Sequence, residues 1–292
     1  MEFNKPYAVM GIVNVTADSF YDGGRYADTA AAVEHSLRLI GDGADIIDIG
    51  GSSTRPGAML STPESEIARV VPVIEGVARC GTGVPISVDT TWSATAKAAI
   101  EAGASWVNDV SGGRFDPNMA AAVADMGCAV VVMHSRGMPD TMQDGPRYAD
   151  VVGEVACELA AAVEAFWQAG VSTDNIIVDP GFGFAKSVQH NIDLLDGLGK
   201  IASMGFPLLV GVSRKSFIGA ITGRHVDERL SGSLAAAAAA YGRGASIFRV
   251  HDVRKTADFL KVLAAVGGVG AAGVSGAERV CFGSAADAEC RI

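Results

Sequence analysis

The sequence predicts an α/β chain closed into a (β/α)8 TIM barrel, and three observations carry that prediction. Eight short β-branched or apolar runs alternate with alanine-rich segments of helical period. Several of those segments stop at glycine, which ends helices because it accepts left-handed backbone angles. Nearly every apolar run breaks at its C-terminal end with a polar or charged residue. Buried strands separated by helices pair in parallel, and eight such units close a barrel.

The elements follow in order. AVMGIVN (8–14) is the first strand, and TAAAVEHSLRLIGDG (29–43) its helix. DIIDIGG (45–51) precedes PESEIARVVPVIEGVAR (63–79), and PISVDT (85–90) precedes SATAKAAIEAG (93–103). SWVNDVSG (105–112) leads to DPNMAAAVADMG (116–127), and AVVVMHS (129–135) to DVVGEVACELAAAVEAFWQAG (150–170). NIIVDPG (175–181) is followed by VQHNIDLLDGLGKIASMG (188–205). PLLVGVSRK (207–215) is followed by LSGSLAAAAAAYGRG (230–244), whose alanine run reads as helix packing ended at Gly244. SIFRVHDV (246–253) and TADFLKVLAAVG (256–267) complete the series. The rival is an open doubly wound sheet, but its glycine-rich phosphate turn should follow the first strand, and none follows AVMGIVN. Beyond residue 266 the periodicity fails, so 1–266 reads as a single barrel and 267–292 as a flexible Gly- and Ala-rich tail.

Composition narrows the function. With 49% hydrophobic and 19% charged residues and a mean hydropathy of +0.28, the chain has material for a large core and too little polarity for disorder. A net charge of −10 argues against a general nucleic-acid or membrane-surface binder, which needs a basic face. No long apolar span or leader-like start is evident, so a cytoplasmic location is expected. The five cysteines are widely spread and lack CxxC, which suggests neither a disulfide framework nor a zinc site.

The polar residues at the strand ends are Asn14, Asp48, Asp89, Asn108, His134, Asp179, Ser213 with Arg214 and Lys215, and Arg249 with His251. A barrel of this kind carries its site at that end. Asp48 is instructive, because a carboxylate within an apolar strand costs free energy unless it is paired. Asp89, Asn108 and Asp179 supply fixed acceptors suited to a neutral heterocycle with a row of N–H donors. A metal is a weaker reading of that trio: no histidine accompanies them in ligand spacing, and Lys215 and Arg249 repel a cation. Arg55, Arg214, Lys215, Arg249 and His251 form a basic zone, and loops after strands seven and eight of such barrels often hold phosphate. The pocket therefore suits a heterocycle joined to phosphate.

An ordered set of segments carries a resemblance: MGIVNVTADSFYDGG (10–24), IIDIGGSSTRPGA (46–58), ISVDT (86–90), VNDVSGG (107–113), VVMHSRGMPDTMQ (131–143), IIVDPGFGFAK (176–186), LLVGVSRKSFIG (208–219), ERLSGSLA (228–235) and FRVHDV (248–253). Together they resemble the dihydropteroate synthase family over residues 7 to 266, with a barrel of the pterin-binding type. The resemblance implies a transferase of folate biosynthesis that joins 6-hydroxymethyl-7,8-dihydropterin diphosphate to p-aminobenzoate, releasing diphosphate. By motif, Asp89, Asn108, Asp179 and Lys215 would hold the pterin edge, with Asp48 at the base of its pocket, Met133 lining it and Arg249 stacked on the ring. Asn14, Arg249 and His251 would take the diphosphate, with Asn14 also ligating its Mg2+. Thr54, Arg55, Pro56, Phe184, Ser213 and Lys215 would form the p-aminobenzoate site. Asp18 and Asp22 would steady a cationic pterin methylene, joining Lys215 and Arg249 as catalytic residues. The family is sulfonamide-targeted and habitually homodimeric. Two positions depart from its pattern, Ser52 where Glu is usual and Ala185 where Gly is common. A methyltransferase domain sharing the pterin-binding barrel is the nearest rival, but it has no need of the STRPG and SRK elements. A non-catalytic pterin-binding paralogue is a second rival, and it usually loses the basic groups found here.

Overall fold

The computed structural model describes residues 5–15, 25–52, 61–138, 142 and 145–266. The expectations for Asp18, Asp22, Thr54, Arg55, Pro56 and the 267–292 tail lie outside the described residues. The elements run β1 (Ala8–Asn14), α1 (Arg25–Gly41), β2 (Ile46–Gly50), α2 (Pro63–Arg79), β3 (Ile86–Asp89), α3 (Ser93–Glu101), β4 (Trp106–Asp109), α4 (Met119–Met126) and β5 (Ala129–Met133). They continue with α5 (Val151–Gln168), β6 (Ile176–Asp179), α6 (Val188–Asp196), α7 (Leu198–Ala202), β7 (Leu209–Val210), α8 (Ser216–Thr222), α9 (Leu230–Tyr241), β8 (Ile247–Val250) and α10 (Val253–Ala265).

The eight strands form one parallel sheet in the order β6-β5-β4-β3-β2-β1-β8-β7. Val178 of β6 bridges Leu208, next to β7, and Val178 N–H donates to Pro207 O at 3.0 Å, which brings the sheet's two ends together. The predicted eight-unit barrel is thus the observed architecture.

Strand alternation divides the apolar residues into two cores, because successive side chains point to opposite faces. Met10, Ile46, Trp106, Val131, Ile177 and Leu209 belong to a cluster that fills the barrel interior. Val9, Ile47, Val88, Val107, Val130 and Val178 belong to the cluster shared with the surrounding helices. The same alternation points Asp48, Asp89, Asn108, Asp179 and Arg249 inward, one step closer to the C-terminal mouth than the apolar plug.

Local chemistry sets the helix ends. Thr62 caps α2 through Ser65 N–H at 3.3 Å, with Pro63 in the first turn. Asp150 caps α5 through Gly153 N–H at 3.0 Å, and Ser187 and His190 make a reciprocal capping box on α6.

The structure corrects some sequence boundaries. The segment 188–205 is two helices, because Gly197 lies close against α5: a Cβ there would stand 2.6 Å from Val152. Strand seven shrinks to Leu209–Val210, and the rest of its predicted run becomes a loop that turns at Arg214, φ +56°. Among the described residues, no helix is long and apolar enough to cross a membrane.

Candidate active site

Parallel register sets the inward polar residues in a staggered row near the C-terminal ends of their strands. Asp48 pairs with Ser87, Gly50 with Asp89, Asp89 with Asn108, Met133 with Asp179, and Met10 with Arg249. Above them opens a cavity lined by Asn108, Met133, Asp179, Phe184, Ser213, Lys215, Arg249 and His251, together with Ile12, Val110, Phe182 and Gly211. Eight of the sequence-predicted site residues therefore meet on one cavity wall, drawn from five strands or their following loops.

Arg249 organises the floor. Its Nε–H donates to Asp48 Oδ2 and its Nη2 to Asp89 Oδ2, both at 2.6 Å. Asn108 Nδ2 adds a bond to Asp48 Oδ2 at 3.1 Å. Burial opposes charge on Arg249, but the Asp48 and Asp89 carboxylates outweigh it and hold its pKa above the ordinary arginine value. Burial pushes the Asp89 carboxyl up to about 7, opposed by Arg249 and reinforced by Asp48. Asp48, with no exposed surface, is the partner and support of Arg249, which accounts for a carboxylate in an apolar strand. Asp48 and Asp89 stand behind Arg249 and are absent from the cavity wall.

The wall itself has both donors and acceptors. Asp179 is 4% exposed and accepts from Gly181 N–H at 2.7 Å through one oxygen. Burial raises its pKa to about 6, against the pull of Gly181 N–H, Lys215 and Arg249. Asn108 Oδ1 is buried without a protein partner among the described residues, so the wall keeps an acceptor for a ligand donor. The half-buried Lys215, one residue before α8, has its Nζ 4.5 Å from the Phe184 ring centroid. Burial and then Arg249 lower its pKa to about 8. At the rim, Ser213 Oγ lies 3.1 Å from His251 Nδ1. His251 is exposed, and desolvation and then Arg249 push its pKa down to about 4.

Two predicted residues are engaged elsewhere, and a third, Asn14, is not on the cavity wall. Asn14 ends β1 with its side chain exposed. Arg214 leaves the expected basic zone: it donates to both Asp252 oxygens at 2.8 and 2.7 Å, because its positive φ turns it away from the cavity. His134 reaches the mouth, but its Nε2 lies 3.0 Å from Glu158 Oε2 and its Nδ1 3.0 Å from Lys186 Nζ. Desolvation lowers the His134 pKa to about 4. Lys186, 3% exposed, is a site neighbour that sequence reasoning missed. Its burial lowers its pKa to about 7. The one available signal was a lysine directly after the apolar GFGFA turn.

No group of three His, Cys, Asp or Glu among the described residues could hold a metal ion. A magnesium ion at these residues would have to be held largely by substrate phosphate oxygens, since Mg2+ is commonly bound by substrate phosphates and few side chains.

Comparison with known proteins now bears on this geometry. The family described as pterin binding enzyme matches residues 10–251. The dihydropteroate synthase of Mycobacterium leprae is 45% identical, the match covering 89% of this chain and 93% of that one. The structure of Xanthomonas albilineans dihydropteroate synthase with 4-aminobenzoic acid has a TM-score of 0.84 and 47% identity, covering 90% of this chain and 94% of the other. The same enzyme in complex with 7,8-dihydropteroate has a TM-score of 0.81 at 44% identity, with the same coverage.

Proposed function

This chain belongs to the dihydropteroate synthase family of pterin-binding enzymes, and from that membership we propose that its cavity joins 6-hydroxymethyl-7,8-dihydropterin diphosphate to p-aminobenzoate. The observation that carries the reading is the convergence of Asn108, Asp179, Ser213, Lys215, Arg249 and His251 on one cavity. Asn108 and Asp179 offer acceptors to the N–H edge of the pterin, and Met133 lines its pocket. Arg249, fixed by Asp48 and Asp89, presents its guanidinium plane to the ring. His251 and Arg249 take the diphosphate with Asn14. Phe184, Ser213 and Lys215 hold the p-aminobenzoate, with Thr54, Arg55 and Pro56 completing that subsite.

The reaction expels diphosphate first, breaking the methylene C–O bond with its electron pair on the leaving oxygen. The pterin methylene cation is then attacked by the amine nitrogen of p-aminobenzoate, which afterwards loses a proton. Magnesium, when bound, neutralises charge on the departing diphosphate. Arg249 adds fixed positive charge at the same end, and the cavity walls keep water from the cation. Asp18 and Asp22 steady that cation. No side chain serves as a covalent nucleophile.

Residues 1–266 form the catalytic unit in this reading, with 267–292 appended to it and the protein acting in the cytoplasm. The unit works as a homodimer, consistent with exposed Val188 and Ile192 on α6 and Ile221 on α8. The decisive experiment supplies pterin diphosphate, p-aminobenzoate and Mg2+ and looks for 7,8-dihydropteroate by mass. Pterin binding without product formation would overturn the assignment in favour of a non-catalytic binder.

A further inference from the structure

The loop between β6 and α6 wraps its backbone around its own lysine. Gly181, Gly183 and Ala185 all have positive φ, +69°, +81° and +49°, and this alternation turns carbonyls toward the loop interior. Lys186 Nζ donates to Gly181 O at 3.0 Å and to Phe184 O at 3.1 Å. Its third donor meets His134 Nδ1 at 3.0 Å, so all three ammonium directions are used. Because Nδ1 accepts, the His134 proton belongs on Nε2, where it is donated to Glu158 Oε2 at 3.0 Å. Glu158 is held in turn by Arg136. The loop is thereby tied through two side chains to α5, while its outer face presents Phe184 to Lys215.

We infer that Lys186 is a positioning residue for the proposed aminobenzoate subsite: by gathering the Gly181 and Phe184 carbonyls and the His134 ring, it holds the Phe184 ring where it meets Lys215. The inference rests on the functional reading above, which puts Phe184 and Lys215 around p-aminobenzoate. Without the ammonium, two inward carbonyls lose their donor and the loop must turn them elsewhere. Phe184 is the residue such a turn displaces first, since its own carbonyl is one of the two. Lys186 does not line the cavity, so its influence on substrate passes through the loop.

Lys186→Met keeps the length of the side chain and removes its donors. The KM for p-aminobenzoate is expected to rise about tenfold with kcat changed by less than about threefold, the signature of lost binding rather than lost chemistry. In a Phe184→Ala background the Lys186→Met effect on that KM should vanish, because residues acting through one contact are not additive. Equal KM values, or an effect undiminished by Phe184→Ala, would overturn the inference. Hydrogen exchange of the unliganded protein should show amides 182–186 opening about tenfold faster in Lys186→Met, with α5 and the strands unchanged. Faster exchange with an unmoved KM overturns the inference yet leaves the overall reaction standing, whereas failure of the unsubstituted protein to make dihydropteroate defeats the functional reading itself. Should Lys186→Met not fold, His134→Leu removes the third acceptor together with the bond to Glu158 and leaves both carbonyl acceptors of Lys186 in place; a KM rise of about threefold supports the inference, and no change overturns it.

Discussion

Asp48 and Arg249 stand 201 residues apart in the chain, and Arg249 Nε–H donates to Asp48 Oδ2 at 2.6 Å. The second arm of the same guanidinium reaches Asp89, so one cation pairs with one oxygen of each of two buried carboxylates at the floor of the cavity. This pairing ties β2, β3 and β8 together and fixes the plane of Arg249 before any ligand arrives.

Removing that cation leaves Asp48 and Asp89 without a counter-charge. Arg249→Met is expected to lower stability by about 3–5 kcal/mol at pH 8, the usual cost of breaking a buried pair from one side. The deficit should shrink at pH 5, where Asp89, its carboxyl pushed up to about 7 by burial, takes up a proton, and Asp48→Asn in the same chain should restore part of it. Urea unfolding at the two pH values checks this, and an equal loss at both would mean that charge is not the cause.

Asp179 is expected to show opposed effects on binding and stability. Its pKa in the folded protein, about 6, lies above the ordinary aspartate value of 3.8, so between those values the native state holds a proton that the unfolded chain has released. Its contribution to stability therefore falls as pH rises through that window. Asp179→Asn should gain stability relative to the unsubstituted protein between pH 4 and 6 and keep a gain of about 1–3 kcal/mol above it. Pterin binding should weaken by about 1–3 kcal/mol, because an acceptor becomes a misdirected donor. Calorimetry of binding and thermal unfolding across pH test the two halves; unaltered pterin affinity would remove Asp179 from the pterin edge.

Lys215 carries charge at neutral pH but is poised to lose it, its pKa lowered to about 8. A subsite that needs the ammonium should show kcat/KM for p-aminobenzoate falling as pH rises through about 8. Lys215→Ala should depress turnover severely, by about 100-fold or more if the ammonium holds a reacting group in place. Lys215→Arg, which stays charged, should lose the alkaline limb even where its rate is reduced. A pH profile that keeps the same limb in Lys215→Arg assigns the titration to another group.

Two substitutions in the loop after β6 should act in opposite directions. Ala185 is buried at φ +49°, a conformation that glycine adopts without strain, so Ala185→Gly should raise stability by about 0.5–1 kcal/mol after glycine's own entropic cost. At Gly181 a Cβ would collide with His134 O, and Gly181→Ala should destabilise the fold and disturb Asp179, which accepts from the Gly181 amide. Melting temperatures of the pair provide the check; a stabilising Gly181→Ala would contradict the loop geometry.

Period-two and helical patterning are local, and they were enough to reveal eight βα units and to put Asn108, Asp179, Ser213, Lys215, Arg249 and His251 at the strand ends where they line the cavity. Strand alternation makes that possible: once a strand's apolar face is known, the side of every other residue follows. Which of those groups face a ligand and which face each other was not legible. Arg214 and His134 look as available as Lys215 in the sequence, yet Asp252 captures the first, and Glu158 with Lys186 the second. Asp89 reads as a free acceptor until barrel closure brings β8 around to it. Such partnerships depend on register across a closed sheet and on loop backbone angles, and contacts between residues tens to hundreds of positions apart exist only after the whole chain has packed.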